Sequence, residues 1–198
     1  TQISALLSGA MLARVMGMKK LSAFLEEIAN SWNANIEKWT YVTGTKTAEE
    51  AGVEGYYLRI NPYNLPANEV KDRTMDLKNH TGDDGKISIG ELISVDALAL
   101  VRFGLRSPRD PKIKNTIKAI DYKLKVDTPT GPCWHRYNLD GYGEHKYGHS
   151  FPNGKGIGRA WPLLTGERAH YEIAAGNMKT AKSLLETMES FANNSLLP

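Results

Sequence analysis

The sequence predicts an all-α fold of about six helices with long loops between some of them. Several segments repeat apolar residues at i, i+3 and i+4, the spacing of one face of an amphipathic helix. Helix caps and helix-ending glycines stand at the borders of these segments. No fixed-period repeat and no internal linker divide the 198 residues. We therefore expect a single domain over 1–198, with no separate second domain.

The first two helices are predicted to form an αα-hairpin. Apolar residues from Ile3 to Val15 follow helical spacing as far as Gly17, and a second helix is predicted over about 20–39. The connection between them is short, which favours antiparallel packing. Residues 42–90 then carry Gly, Pro, Asn and Asp at frequent intervals. We expect a long loop region there, with space for a short strand pair.

The third and fourth helices are predicted from their start signals. Ser88 and Glu91 have the spacing of a capping box, and an apolar run over 92–101 follows them. This pattern predicts a third helix that begins directly after Ser88. Asp110-Pro111 supplies an N-cap and a proline at the first helical position of the fourth.

The last two helices follow the central part of the chain. Pro162 can open a fifth helix, which Gly176 ends. Apolar residues at helical spacing predict a sixth helix over 178–192.

Composition and charge exclude several classes of function. The net charge is +3, and Lys and Arg are scattered without a dense run, so the sequence predicts no nucleic-acid partner. The single cysteine, Cys133, excludes a disulfide within the chain. No apolar run approaches the ~20 residues that a membrane span needs, and no membrane partner is expected. No signal peptide is recognised, and the sequence assigns no compartment.

The stretch from Cys133 to Tyr171 is the most informative part of the sequence. It is rich in Gly, Trp, Tyr, His and Arg, and its first two-thirds lacks helical or strand periodicity. Flat aromatic rings beside carboxylates and guanidinium groups suit a sugar, because rings stack on its faces and charged groups bind its hydroxyls. The alternative is an ordered loop that plugs a helical domain, with Trp134 and Trp161 as core residues.

Two patterns suggest a metal site, but neither is well formed. Residues 80–91 place Ile87 and Glu91 as an EF-hand would, yet His80 and Gly82 stand where carboxylate ligands are needed. His145 and His149 are four residues apart, but in a Gly-rich loop where that spacing implies no shared face. We predict no metal site and no cofactor.

The central stretch closely resembles glycoside hydrolase family 15, the group of glucoamylases, glucodextranases and bacterial trehalases. The resemblance extends to Val95-Asp96, to 100–104, to Asp110-Pro111 and to the N-terminal helix, and so covers nearly the whole chain. Its most specific motifs are Trp134-His135-Arg136-Tyr137, Asp140-Gly141-Tyr142-Gly143-Glu144, Gly156-Ile157-Gly158-Arg159 and 161–168.

The resemblance implies the C-terminal half of a catalytic domain with an (α/α)6 toroid fold. Residues 1–198 would be a portion of this toroid, a partial glucoamylase-like catalytic domain. It also implies exo-acting, inverting hydrolysis that releases glucose from the non-reducing end of an α-glucan or α-glucoside oligosaccharide. The rest of the catalytic domain would be the structural partner of this chain. The sequence does not choose between α-1,4, α-1,6 and α,α-1,1 linkages.

By motif position, the resemblance also implies roles for individual side chains. Arg136 and Asp140 would form a hydroxyl-binding pair, Tyr142 and Trp161 would be aromatic walls of the glucose pocket, and Glu144 would contact the next sugar. Arg159 and Arg168 would be structural and would hold the Gly-rich loop to Glu167 or Glu172. Asp96 would either lie at the barrel mouth or be an ordinary buried carboxylate.

No catalytic residue is predicted within the chain. In the family, the general acid lies just before a helix that residues 1–10 of this sequence resemble. The general base follows a segment that residues 196–198 resemble. We therefore expect both glutamates just outside these residues, before Thr1 and after Pro198. The non-enzymatic alternative is a half-barrel that binds carbohydrate or is completed by a partner. A third possibility is an unrelated helical toroid, such as a lyase or terpene cyclase, that uses Glu144 or His145.

Overall fold

Helices dominate the computed structural model, which describes residues 1–81, 85–149, 156–193 and 196. Within these residues there are eight α-helices and three small antiparallel sheets, so the all-α prediction is confirmed. Five helices have 13 or more residues, and the other three are single turns. The helices are α1 (Gln2–Val15), α2 (Lys19–Thr40), α3 (Lys46–Glu50), α4 (Ala67–Val70), α5 (Leu98–Arg102), α6 (Pro111–Leu124), α7 (Pro162–Ala175) and α8 (Met178–Ser190).

The predicted hairpin of α1 and α2 is confirmed. Gly17 turns the chain with a positive φ of 75°, a conformation that glycine adopts without steric cost. Small residues lie at the buried seam between the helices, among them Ala10, Ala13 and Ala29. Much of the apolar surface of the two helices is exposed to solvent, including Leu12 at 64% and Val15 at 78% exposure.

Residues 41–90 contain two strand pairs where one was anticipated. Strands β1 (Tyr41–Thr43) and β2 (Gly55–Tyr57) are antiparallel, and so are β3 (Thr74–Asp76) and β4 (Lys86–Ser88). Strand β2 is buried along its whole length against α6. The region is therefore part of the core and not a loose loop.

The predicted start of the third helix is wrong. Ser88 donates to the carbonyl of Lys71 instead of capping a helix, and only a single 3₁₀ turn (Ile89–Glu91) follows. The Glu91 carboxylate accepts hydrogen bonds from the N–H groups of Lys46 and Thr47, at 2.7 and 3.0 Å. It thus caps the N-terminus of α3, 45 residues earlier, which a local pattern cannot show. A second 3₁₀ turn (Val95–Ala97) leads into the short α5.

Helix α6 begins at its predicted position, and α7 and α8 begin and end close to theirs. The Asp110 carboxylate accepts from the Lys112 N–H at 2.7 Å at the start of α6. Pro162 is the first residue of α7, and Gly176 ends it in the left-handed region with φ of 82°. The α7–α8 pair is a second helical hairpin.

A hairpin of β5 (Lys125–Thr128) and β6 (Gly131–Trp134) links α6 to the central stretch and was not predicted. Burial alternates along β5, since Val126 and Thr128 are half-buried while Lys125 and Asp127 are exposed. A four-residue alternation of this kind is too short to stand out beside long helical patterns.

One ion pair fastens α2 to the segment that precedes α6. Nε and Nη2 of Arg106 donate to the two Glu37 oxygens at 2.6 and 2.8 Å, and the Tyr57 hydroxyl donates to Glu37 at 2.6 Å. Nη1 and Nη2 also donate to the side chain and the carbonyl of Asn33. Burial alone would raise the pKa of Glu37, but the Arg106 and Tyr57 hydrogen bonds outweigh it and lower the pKa to about 2.

We predict that Glu37→Gln destabilises the full-length protein by about 1–2 kcal/mol near neutral pH, because charge-assisted bonds to a half-buried group are lost. The folded-state pKa lies below the ordinary value of 4.5. The contribution is therefore complete above about pH 4.5 and is lost as the pH falls towards 2. Chemical denaturation between pH 7 and pH 3 measures the difference between variant and wild type.

The exposed Glu27 on the same helix supplies the control, since Glu27→Gln removes an equal charge without a described partner. If both variants lower stability equally, or if the Glu37→Gln effect persists unchanged at pH 3, the proposed contribution of this ion pair is wrong.

Candidate functional site

Two segments of the central stretch (Cys133 to Tyr171) lie side by side. The Trp161 N–H donates to the Trp134 carbonyl at 2.9 Å, so the end of β6 lies beside the start of α7. Trp134 is 3% exposed, and its indole N–H donates to Asp121 at 3.0 Å. This closure brings Arg136, two residues after Trp134, next to the ring of Trp161.

Arg136 is held in one direction by a buried carboxylate. Its Nε and Nη2 donate to the two Asp140 oxygens at 2.6 and 2.7 Å. The Asp140 side chain is 1% exposed, whereas that of Arg136 is 28% exposed. Asp140 also accepts from the Tyr142 N–H at 3.0 Å, so its buried charge is well hydrogen-bonded. These bonds to Asp140 raise the pKa of Arg136.

Three aromatic rings surround the Arg136 guanidinium. Its central carbon lies 4.8 Å from the centre of the Tyr142 ring, 4.9 Å from that of Trp161 and 5.4 Å from that of Tyr137. The rings of Tyr142 and Trp161 are tilted, with centres 6.2 Å apart. We call Arg136, Asp140, Tyr142 and Trp161 the Arg136 cluster. It combines a cation with fixed N–H directions and ring surfaces, which is the composition of a sugar-binding site.

The backbone of the cluster is supported by neighbouring segments. Asn138 joins its loop to residues 91–93, because it donates to the Glu91 carbonyl and accepts from the Ile93 N–H, both at 2.9 Å. The Thr81 N–H donates to the Leu139 carbonyl at 2.9 Å. Leu139 has a positive φ of 62°, an uncommon conformation for a non-glycine residue, and it directly precedes Asp140.

Glycines let a second segment lie directly against this loop. A Cβ on Gly158 would be 1.7 Å from the Asp140 carbonyl oxygen, and one on Gly156 would be 2.3 Å from the Gly143 oxygen. Beside them, Nε of Arg159 donates to Glu144 at 2.6 Å. A backbone hydrogen bond and Arg159 lower the pKa of Glu144, which keeps this carboxyl group ionised.

Comparisons with known proteins show similarity to glucoamylases. A glucoamylase from Clostridium sp. (strain G0005) is 44% identical over 170 residues, which are 85% of this chain and 22% of that protein. The crystal structure of a bacterial glucoamylase complexed with acarbose matches with a TM-score of 0.84 and 38% identity, over 98% of this chain and 27% of that one. These matches support a glucoamylase-type region of glycoside hydrolase family 15. The chain spans less than a third of either relative, and no family model matches it.

Arg168 of this glucoamylase-type region binds Glu172 as predicted, but its other partner is Asp121 of α6 and not the Gly-rich loop. Arg168 is 8% exposed and bonds both Asp121, at 3.0 Å, and Glu172. Burial would lower the pKa of Arg168, but the two carboxylates outweigh it and raise it. Asp121 was not predicted, although its place four residues after Ile117 on the apolar face of α6 marks it as a partly buried polar group. This network attaches Trp134 to both α6 and α7.

Other sequence-based expectations for the glucoamylase-type region need correction. Arg159 does bind a glutamate, but this is Glu144, since Glu167 pairs with Arg102 at 2.9 Å. The Asp96 side chain is 70% exposed, so it is not a buried carboxylate.

The metal-site patterns gain no support from the described part of this region. Residues 82–84 of the calcium-like loop lie outside the described residues. Among those that are described, no group of three or more His, Cys, Asp or Glu could hold a metal ion. No described helix is long and apolar enough to cross a bilayer.

We predict that Gly158→Ala destabilises the glucoamylase-type region far more than Gly148→Ala. Both glycines have positive φ, 61° and 77°, so both variants carry the same backbone strain. At Gly158 the new methyl group would overlap a backbone atom, whereas at Gly148 no atom of the described residues lies within 4 Å. We expect a difference of about 2 kcal/mol or more in unfolding free energy, from the strain and overlap costs together.

Urea denaturation of the two full-length variants measures this difference. Equal stability of the two variants would mean that the close approach of residues 140 and 158 does not contribute to the fold.

Proposed function

We propose that this region is the substrate-binding wall of an exo-acting, inverting α-glucoside hydrolase that releases glucose from the non-reducing end of α-glucans. The observation that carries the proposal is the Arg136 guanidinium, fixed by buried Asp140 beside the rings of Tyr142 and Trp161. Its similarity to glucoamylases, one of them complexed with acarbose, supports an α-glucoside as the ligand. We also propose that residues 1–198 are one partial catalytic domain.

Arg136 is the residue best placed to bind sugar hydroxyls. Asp140 occupies its Nε and one Nη2 hydrogen, while Nη1 donates to no atom of the described protein. The Nη1 hydrogens are therefore available to a ligand in a fixed direction. Asp140 was expected to bind hydroxyls as well, but its 1% exposure favours holding Arg136 in place.

The aromatic residues and Glu144 complete the proposed site. Tyr142 is 47% exposed and Trp161 is partly exposed, so their rings can contact the apolar C–H faces of a glucosyl unit. The Glu144 side chain is 36% exposed and ionised, which suits it to accept a hydroxyl hydrogen bond from the next sugar.

The carboxyl groups of this site do not suit the catalytic roles of an inverting enzyme. Such an enzyme needs a general acid with a raised pKa and a general base about 6.5–9.5 Å away from it, which activates water. Glu144 has a lowered pKa, and Asp140 is buried and paired with Arg136. We therefore infer that both catalytic glutamates come from polypeptide outside residues 1–198.

In the full-length enzyme, we expect Arg136→Ala and Trp161→Ala each to lower the kcat for maltose hydrolysis by roughly 100-fold or more. The physical reason is that both side chains would orient the glucosyl unit that changes geometry in the transition state. Glucose release from maltose measures kcat, and proton NMR of the wild-type reaction should show the β-anomer first, as inversion requires.

Arg109→Ala is a matched control, because Arg109 is exposed and lies far along the chain from the cluster. Unchanged kcat in either test variant would remove that residue from the site. Initial release of α-glucose by the wild type would exclude inversion.

The exposed apolar faces of this chain indicate that further helices complete the toroid. Between α7 and α8 lies an apolar groove of about 670 Å³, lined in part by Leu163, Ile173, Met178 and Leu185. Each of these four side chains is at least half exposed. Large apolar patches are rare on monomers that exist alone. We propose that the remaining helices of the catalytic domain cover them.

We predict that residues 1–198 expressed alone self-associate, because these faces would be exposed to water. Light scattering after size-exclusion chromatography measures the mass of the species formed. A triple variant of the exposed α1 residues Met11, Leu12 and Val15, each changed to Glu, should associate less. A wild-type monomer with a cooperative melt would contradict the prediction and favour the alternative of a self-sufficient carbohydrate-binding half-barrel.

A further inference from the structure

A second arginine–aspartate pair lies directly beside the Arg136 cluster. The Arg59 guanidinium carbon lies 4.1 Å from the centre of the Tyr137 ring, the same ring that the Arg136 guanidinium approaches at 5.4 Å. Nη1 of Arg59 is 3.4 Å from Oδ2 of Asp96. The side chains therefore form one continuous series, in the order Asp96, Arg59, Tyr137 and Arg136.

Backbone pairing fixes the position of this second pair. The Arg59 N–H donates to the Leu92 carbonyl at 2.8 Å, immediately after a bridge between residues 58 and 93. Ser94 in turn bridges to Tyr137, and its hydroxyl donates to Oδ2 of Asp96 at 2.7 Å. Both members are therefore held by the segments that also support the loop of Arg136.

The pair has unused hydrogen-bonding capacity. Both contacts to Asp96 use Oδ2, and within the described residues Oδ1 accepts no hydrogen bond. Likewise, Nε and Nη2 of Arg59 donate to no described protein atom. The pairs of Arg136 with Asp140 and of Arg106 with Glu37 differ, since both are bidentate at 2.6–2.8 Å.

An exposed ion pair of this geometry adds little to stability. The Arg59 and Asp96 side chains are 33% and 70% exposed, and exposed pairs contribute about 0–1 kcal/mol. The single contact at 3.4 Å adds little to the stability of the fold. It leaves Nε and Nη2 of Arg59 beside Oδ1 of Asp96, which accepts no hydrogen bond from the described residues. This combination suits two neighbouring hydroxyl groups of a sugar.

We propose that Arg59 and Asp96 bind hydroxyl groups of a second glucosyl unit, next to the unit bound by Arg136. The inference rests on the proposed α-glucosidase function. The two guanidinium carbons lie 4.1 and 5.4 Å from the centre of one tyrosine ring, so both groups are close enough together to bind neighbouring units of one oligosaccharide. Arg59 and Asp96 thus help to set the preference for oligosaccharides over substrates with a single glucosyl unit.

The test compares two substrates of the full-length enzyme, maltotriose and p-nitrophenyl α-glucoside, which has one glucosyl unit. Arg59→Ala and Asp96→Asn should each lower kcat/KM for maltotriose roughly 5- to 20-fold, mainly through KM, because each removes hydrogen bonds to a bound hydroxyl. For the single-glucosyl substrate, the change should be less than about 2-fold by the same reasoning. Arg14→Ala breaks the exposed pair with Glu26 on the first hairpin and should change neither value.

Three results would overturn the inference while the proposed function stands. The first is no loss in either variant. The second is an equal loss on both substrates, which indicates a general structural effect. The third is a loss only in Arg59→Ala, which indicates disturbed packing of Tyr137. A wild-type enzyme that hydrolyses neither substrate would overturn the proposed function, and this inference with it.

Discussion

The buried carboxylate of Asp140 is the constraint on which the candidate site depends. A charge at 1% exposure must be hydrogen-bonded, and the Arg136 fork and the Tyr142 N–H provide those bonds. Both partners lie in the same loop as Asp140, which bends at Leu139, and Gly158 lets a second backbone segment lie against that loop. The direction of the guanidinium depends on this carboxylate, and the rings of Tyr142 and Trp161 lie beside the guanidinium that it holds. Loss of the carboxylate would therefore release the guanidinium.

The helices position this arrangement and leave one side of it open. The Arg168 network joins the central stretch to α6 and α7, and Arg106 joins α2 to the segment that precedes α6, so the site is attached to the core of the fold. In contrast, the outer faces of the α1–α2 and α7–α8 hairpins expose large apolar side chains. A rigid binding wall with open apolar flanks is the expected structure for a piece of a larger toroid. This agrees with the proposal that the chain supplies the substrate-binding wall and that the catalytic carboxyl groups come from elsewhere.

The sequence predicted the features that depend on local patterns. The hairpin of α1 and α2, the caps of α6 and α7 and the fold class follow from residue spacing. The family resemblance named the members of the Arg136 cluster, three of them in one short motif and Trp161 in another. The missed features depend on distant contacts. Glu91 looked like the cap of its own helix but caps α3, and Arg59 has no recognisable motif yet reaches Tyr137 through strand-like pairing. Asp121 does have a recognisable signal, because it is a carboxylate on the apolar face of a helix.

The central claim is that Arg136 binds a glucosyl unit while the general acid and base come from outside residues 1–198. A crystal structure of the full-length protein with a hydrolysis-resistant α-glucoside tests it most directly. The account predicts a sugar hydroxyl within about 3.2 Å of Nη1 of Arg136, the ring of Trp161 against the sugar, and two carboxyl groups from other parts of the chain on either side of the glycosidic bond. A bound sugar that contacts neither Arg136 nor Trp161, or that lies with Glu144 as its general acid, would contradict it.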